Sequence, residues 1–156
     1  MIEIDIPGYR VLQLRHMVLD YNGTLAVDGR LAEGVREKLE LLSRDLDIHV
    51  VTADTFGRVQ SGMAGIAGTV TVLPVGNQAE AKLNHVRSLE ARFTVAVGNG
   101  RNDRLMLKES ALGVAVILGE GAAVETVMAG DVVCTSIGDA LDMMLHPLRL
   151  TATLRS

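Results

Sequence analysis

Apolar and polar residues alternate from the first positions of the chain: Ile2, Ile4 and Ile6 are separated by Glu3 and Asp5. A period of two marks a half-buried strand, and Pro7-Gly8 ends it. A second strand, Arg10 to Asp20, is expected to pair back on it as an antiparallel hairpin. The period then changes. Leu31, Val35, Leu39 and Leu42 recur at helical spacing, with Glu33, Arg36, Glu37 and Lys38 on the opposite face. Continuous apolar runs at Ile48–Thr52 and Thr69–Val75 predict buried strands, and Asn77–Ala91 predicts a helix with Leu83, Val86 and Leu89 inward. A strand at Phe93–Val97, a short helix around Leu105–Lys108 and strands at Val114–Leu118 and Asp131–Thr135 follow. A helix over Ile137–Leu145, stopped by Pro147, closes the series. Strands alternating with helices through short connections imply right-handed crossovers and a mostly parallel sheet covered on both faces. The expected fold is a three-layer α/β sandwich, and the absence of repeats or linkers makes residues 1–156 one expected domain.

Composition narrows the partners. The net charge of −4 argues against broad nucleic-acid binding, so a phosphate would need local positive charge, for which Lys82, Arg58, Arg101 and Arg104 lie near the candidate residues. No apolar run reaches membrane-spanning length, and the acidic start MIEIDIPGYR lacks the form of a signal peptide. Cys134 is the only cysteine, which excludes an internal disulfide and makes a reducing, cytoplasmic setting the expectation.

In open parallel sheets, ligands sit beyond the C-terminal strand ends. The run Met17-Val18-Leu19 stops at Asp20 and turns through Asn22-Gly23-Thr24, and a second apolar strand ends in glycines and reaches Asp103. Thr52 ends another strand, and Lys82 opens the helix after the next. A carboxylate, a hydroxyl, an ammonium and a second acid are thus brought to one edge, a set suited to phosphoryl transfer. Asp20 would attack phosphorus and form an acyl phosphate. Thr52, Ala53 and the backbone of Asn22-Gly23 would bind phosphoryl oxygens. Lys82 would offset negative charge, and Mg2+ held by Asp20 and Asp103 would let two anions approach. Each residue alone has a plainer reading as a turn, cap, strand-end or solvated helix residue; their order along the chain favours the set.

These motifs resemble the haloacid-dehalogenase (HAD) superfamily of phosphatases, and particularly the catalytic domain of P-type ATPases and their small soluble relatives. DYNGTL is similar to the first motif, VVTAD to the second, the EAK around Lys82 to the third and VGNGRNDRLML to the fourth. The resemblance implies a Rossmannoid fold, Asp20 as nucleophile, and metal ligation by Asp20, Asn22, Asn99 and Asp103. Two departures stand out. Where phosphatases of the superfamily carry an acid–base Asp two residues after the nucleophile, this chain has Asn22, whose backbone carbonyl still suits a metal. P-type ATPases have Thr there, which lets a phosphoenzyme persist. Asn99 replaces the first acid of the fourth motif. General acid–base catalysis is worth roughly 100- to 10,000-fold, so slow turnover is expected. A regulatory protein that keeps the pocket without turnover is the alternative.

Only 32 positions separate Asp20 from Thr52, and 30 separate Thr52 from Lys82. That leaves no room for an inserted cap domain, so an open site is expected unless a neighbouring subunit of a dimer or tetramer covers it. Residues Ala26–Leu31, turning at Asp28-Gly29, would form a small flap. The sequence does not identify the phosphorylated substrate. Ion pumping is not expected of this chain alone. A dinucleotide fold fails because Asp103 stands where a third glycine belongs, and a P-loop fails because Met63-Ala64 follows Gly62. A receiver domain fails because Asp20 comes too early in the chain. Asn22-Gly23 and Asn99-Gly100 are also candidate deamidation sites. His49 reads as a packed core residue, His16, His85 and His146 lack metal-ligand spacing, Met143 and Met144 read as gap fillers, and Cys134 as an inert buried thiol.

Overall fold

A computed structural model of the chain describes residues 1–54 and 57–156. β1 (Ile2–Ile6) and β2 (Arg10–Leu14) form the expected antiparallel hairpin, with Ile2 opposite Leu14 and Ile6 opposite Arg10. The strand expected over Arg10–Asp20 is two strands. Arg15 interrupts it: its amide donates to the Phe93 carbonyl and its carbonyl accepts from Asp47. β3 (His16–Leu19) then enters the central sheet. The flap follows as β4 (Ala26–Val27) and β5 (Arg30–Leu31), joined through Asp28 and Gly29, both at positive φ (51° and 77°). Two successive residues at positive φ are what a tight hairpin turn needs.

α1 (Val35–Leu42), β6 (Asp47–Thr52), α2 (Val59–Met63), β7 (Thr69–Val72), α3 (Gln78–Ser88) and β8 (Thr94–Gly98) come next. α4 (Arg104–Glu109), β9 (Leu112–Val116), α5 (Val124–Ala129), β10 (Val132–Cys134), α6 (Ile137–Leu145) and α7 (Pro147–Leu154) complete the order. Six strands form one parallel sheet in the order β10-β9-β8-β3-β6-β7. The chain runs outward from β3 through β6 and β7, then returns to the other side of β3 at β8. The strand order therefore reverses at β3, which places a crevice at its C-terminal end.

The alternation along β3 assigns the layers. Met17 and Leu19 join the larger core with Ile4, Ile6, Leu12 and Leu14 of the hairpin, Leu39 of α1, Leu141 of α6 and Leu150 of α7. Val18 points to the opposite face, where Val51, Ala96 and Ala115 pack with Val86 of α3 and Met106 and Leu107 of α4. Burial on both faces is why β3, β8 and β9 read as apolar runs, whereas β7, expected to be buried, is a half-exposed edge strand.

Some boundaries shift. Leu31 belongs to the flap and α1 starts at Val35, because Gly34 (φ 76°) turns the chain there. Pro147 ends α6 but also opens α7, since proline fits the first helical turn. α5 lies outside the expected elements, and its Val124 and Met128 form an apolar face that is exposed. His49 is half-buried, its ring 5.6 Å from that of His16 and 5.4 Å from that of His85. Burial and the neighbouring imidazoles push the His49 pKa down. No group of three His, Cys, Asp or Glu side chains among the described residues stands in metal-holding geometry. Among those residues, too, no helix is long and apolar enough to cross a membrane.

Candidate active site

β3 delivers Asp20 to the crevice. Its amide still pairs with the Val97 carbonyl (3.0 Å), so the side chain is held on the frame of the sheet. The chain then folds tightly, with the Thr24, Leu25 and Ala26 amides all directed at the Tyr21 carbonyl. Gly23 makes this turn possible on two counts. Its φ is 83°, and a Cβ there would lie 2.3 Å from the Asn99 side-chain nitrogen.

Behind Asp20 lies a buried ionic group. Lys82 Nζ, on α3, donates to Asp20 Oδ1 and to Asp103 Oδ1, each at 2.6 Å. Lys82 and Asp103 are fully buried and Asp20 is 6% exposed. One ammonium serves two carboxylates, so the group carries one surplus negative charge when all three are ionised. Burial and the charge of Asp103 accordingly push the Asp20 pKa up to about 7 against the pull of Lys82. Burial alone would lower the Lys82 pKa, but the two carboxylates outweigh it and keep the amine protonated. This long side chain is the largest departure from its plain sequence reading as a solvated helix residue.

Asp103 differs from expectation. Its Oδ1 is held by Lys82, and its Oδ2 accepts from the Asn99 and Gly100 amides at 3.0 and 2.8 Å. It does not line the cavity, because the short turn after β8 wraps its backbone amides around this carboxylate. Gly98 allows the wrap, since a Cβ there would meet the Asp103 carboxyl at 2.5 Å. Both Asp103 oxygens are thus held, one by Lys82 and one by the loop amides. The Gly23 amide, expected to face a phosphoryl oxygen, donates instead to the Ala26 carbonyl (2.7 Å) to close its turn.

In front of Asp20 is a cavity of ≈ 310 Å³ lined by Asp20, Asn22, Thr52, Ala53, Gln78, Asn99, Gly100, Asn102 and Glu120. Thr52 Oγ1 accepts from the Asp54 amide (2.9 Å), which leaves its own proton able to be donated. Asn102 donates to Gln78 at 3.0 Å. The Thr24 hydroxyl stands 3.2 Å from both Asp20 Oδ2 and Asn99 Oδ1 and, with one proton, bonds one of them at a time. Thr24, Gln78, Asn102 and Glu120 escaped the sequence reading. Thr24 was within reach of it, four residues after Asp20 in the same turn, whereas Glu120 carries no local signal.

The charges of the wall decide what else the site needs. Among the described residues no Lys or Arg lines the cavity. Arg101 and Arg104 turn to Glu125, and Arg58 reaches the Asp28 carbonyl at 3.5 Å. The wall therefore offers two carboxylates, amides and a hydroxyl. Asn22 Oδ1 is buried without a hydrogen-bond partner among the described residues. An orphaned oxygen beside an electron-rich carboxylate, in an all-oxygen donor set, fits a hard divalent cation such as Mg2+.

Both glycine amides of the Asn-Gly pairs are occupied, Gly23 by Ala26 and Gly100 by Asp103. Neither nitrogen is free to attack the preceding side chain, which corrects the deamidation expectation. Folded protein aged at pH 7.4 should show no mass gain at these two peptides, while denatured protein should gain about 1 Da at each.

Comparison with known proteins agrees with the fold. The structure overlays the cobalt-bound form of deoxy-D-mannose-octulosonate 8-phosphate phosphatase from Haemophilus influenzae with a TM-score of 0.70. The overlay spans 92% of this chain and 94% of that one at 15% identity. The 3-deoxy-D-manno-octulosonate 8-phosphate phosphatase of Moraxella catarrhalis, in complex with magnesium, phosphate and KDO, matches with a TM-score of 0.66. That match covers 91% of this chain and 94% of the other, again at 15% identity. The architecture is the α/β fold that these two phosphatases share. No protein-family model matches the chain. In sequence it is 42% identical over 84 residues to the uncharacterized protein MJ0073 of Methanocaldococcus jannaschii, covering 51% of this chain and 90% of that protein. The chain belongs to the same family as this archaeal protein.

Proposed function

We propose that the chain is a metal-dependent phosphatase that cleaves phosphate monoesters through an aspartyl phosphate on Asp20. One observation supports this above the others: Asp20 faces a polar cavity with a protonated Lys82 bonded behind it, while among the described residues no cation lines the wall. A binding surface for a neutral ligand would not need a buried ion pair one charge short of balance.

Asp20, Asn22 and Asn99 would hold Mg2+, with Asn22 contributing its backbone carbonyl or its unpartnered Oδ1. When bound, the cation supplies the positive charge that brings phosphate against a carboxylate. The rest falls to the chain. An Asp20 oxygen attacks phosphorus in line with the departing ester oxygen. The Thr52 hydroxyl and the backbone at Ala53 bind phosphoryl oxygens as charge moves onto them. Lys82 keeps Asp20 oriented and ionised, and Asp103 keeps Lys82 in place. Magnesium in the related-fold phosphatase of Moraxella catarrhalis supports this choice of ion.

The test is hydrolysis of an aryl phosphate with magnesium by wild type, Asp20→Asn and Asn22→Asp. Asp20→Asn should abolish turnover, and activity that survives it excludes the proposed nucleophile. Asn22→Asp places a carboxyl two residues from Asp20 and is expected to raise kcat by about 100-fold, the lower end of what general acid–base catalysis contributes. An unchanged kcat would show that proton transfer is not what limits the natural chain.

A further inference from the structure

Removal of the acid–base group at Asn22 leaves two proton transfers without an owner, one to the leaving oxygen and one from the attacking water. Glu120 answers to both. It lines the same cavity as Asp20, and these two are the only carboxylates to do so among the described residues. Their depths differ: Asp20 is buried at the floor, whereas Glu120 is exposed at the rim. A phosphoryl group bonded by Asp20 would turn its ester oxygen outward, toward that rim.

Glu120 is also held in place. The Asp28 amide, at the tip of the flap, donates to its Oε2 at 3.2 Å. The loop that carries it is closed by Gly121 N–H donating to Leu118 and tied to the site by the Asn99 side chain donating to the Gly121 carbonyl (both 2.9 Å). Val27 of the flap packs over Gly119, where a Cβ would meet it at 3.1 Å. Oε1 has no hydrogen-bond partner among the described residues, so one oxygen anchors and the other is available.

We propose that Glu120 is the proton-transfer residue of this site, a role that rests on the phosphatase reading above. In the first half-reaction the Asp20 carboxylate bonds to phosphorus as the P–O bond to the leaving group breaks, and the leaving oxygen takes the proton of the Glu120 carboxyl. In the second, the Glu120 carboxylate removes a proton from water as its oxygen bonds to phosphorus. The P–O bond to Asp20 breaks, inorganic phosphate leaves, and both acids return to their starting states. The flap serves this chemistry by setting the angle of the carboxyl.

Glu120→Gln keeps an acceptor for the Asp28 amide but cannot transfer a proton. It should lower kcat by about 100-fold with KM within about twofold, and should accumulate acid-stable phosphate on Asp20 after quenching of the reaction. Adding Asn22→Asp to this variant should recover turnover. Glu120→Ala should be partly rescued by formate, a small carboxylate able to enter the open rim. Wild-type turnover in Glu120→Gln with no added trapped phosphate overturns the proposal, as does a loss confined to KM. Absence of Asp20-dependent hydrolysis in the wild type is a different result, because it removes the phosphatase reading and this role with it.

Discussion

Lys82→Met is expected to destabilise the protein by about 3–5 kcal/mol, the cost of leaving a buried charge uncompensated. At roughly 2–4 °C per kcal/mol for a chain of this size, Tm should fall by about 6–20 °C. The reason lies in the geometry behind the cavity. Lys82 holds two carboxylates at 2.6 Å each, and without it the buried Asp20 and Asp103 would repel each other uncompensated. Thermal melts of wild type and variant at pH 8 check this. A Tm within 2 °C of wild type would mean that the ionic group contributes nothing to the fold. The double variant Lys82→Met/Asp20→Asn should recover part of the loss, and a cycle of the four proteins isolates the Lys82–Asp20 coupling. The loss should shrink as pH falls, because protonated carboxyls no longer repel.

Asp20→Asn should act on activity and stability in opposite directions. Hydrolysis should fall by at least about 1,000-fold, as expected when the nucleophile of a covalent mechanism is removed. Stability should rise by about 5 °C at pH 8 with a chelator present. The Asp20 carboxyl binds its proton more tightly in the folded chain, at about 7 against an ordinary 3.8. Below about pH 4 it is protonated in both states and contributes no penalty. Between pH 4 and 7 the folded state holds more protons than the unfolded one, so stability declines as pH rises, and above 7 the penalty is complete. The Tm gap between variant and wild type should therefore open across that window. Saturating magnesium should narrow it by stabilising the wild type alone. A gap that is constant from pH 4 to 8 would contradict the raised affinity of Asp20 for its proton.

These two effects share one cause, a cavity edge whose buried charges do not balance. A neutral residue at position 20 would relieve the surplus charge, and a second cation beside Lys82 would neutralise it. The chain has neither, and the residue kept under this strain is the one that faces the cavity.

Much of the architecture is visible in the order of residues alone. A strand buried on both faces is apolar nearly throughout, so β3, β8 and β9 stand out as apolar runs. The ends of such runs are where polar side chains become possible, which is why Asp20 and Thr52 can be picked out before any coordinates. Gly23 and Gly98 are similarly legible as turn residues, although only the packing shows that Asn99 and Asp103 occupy the volume their side chains would need. Where the local pattern is weak, reading fails: α5 has an exposed apolar face, and the break at Arg15 depends on carbonyl and amide partners from two other elements.

The allocation of charge was decided only in three dimensions. Position along the chain says that Lys82, Asp103, Arg101 and Arg104 lie near one edge. It does not say that Lys82 would be fully buried between two acids, that Asp103 would spend both oxygens on amine and backbone, or that the arginines would turn outward to Glu125. Glu120 reaches the cavity from a loop 100 residues beyond Asp20. Hydrophobic periodicity is a local property and survives in sequence. Electrostatic balance depends on distances between residues far apart in the chain, and those exist only once the sheet has closed around them.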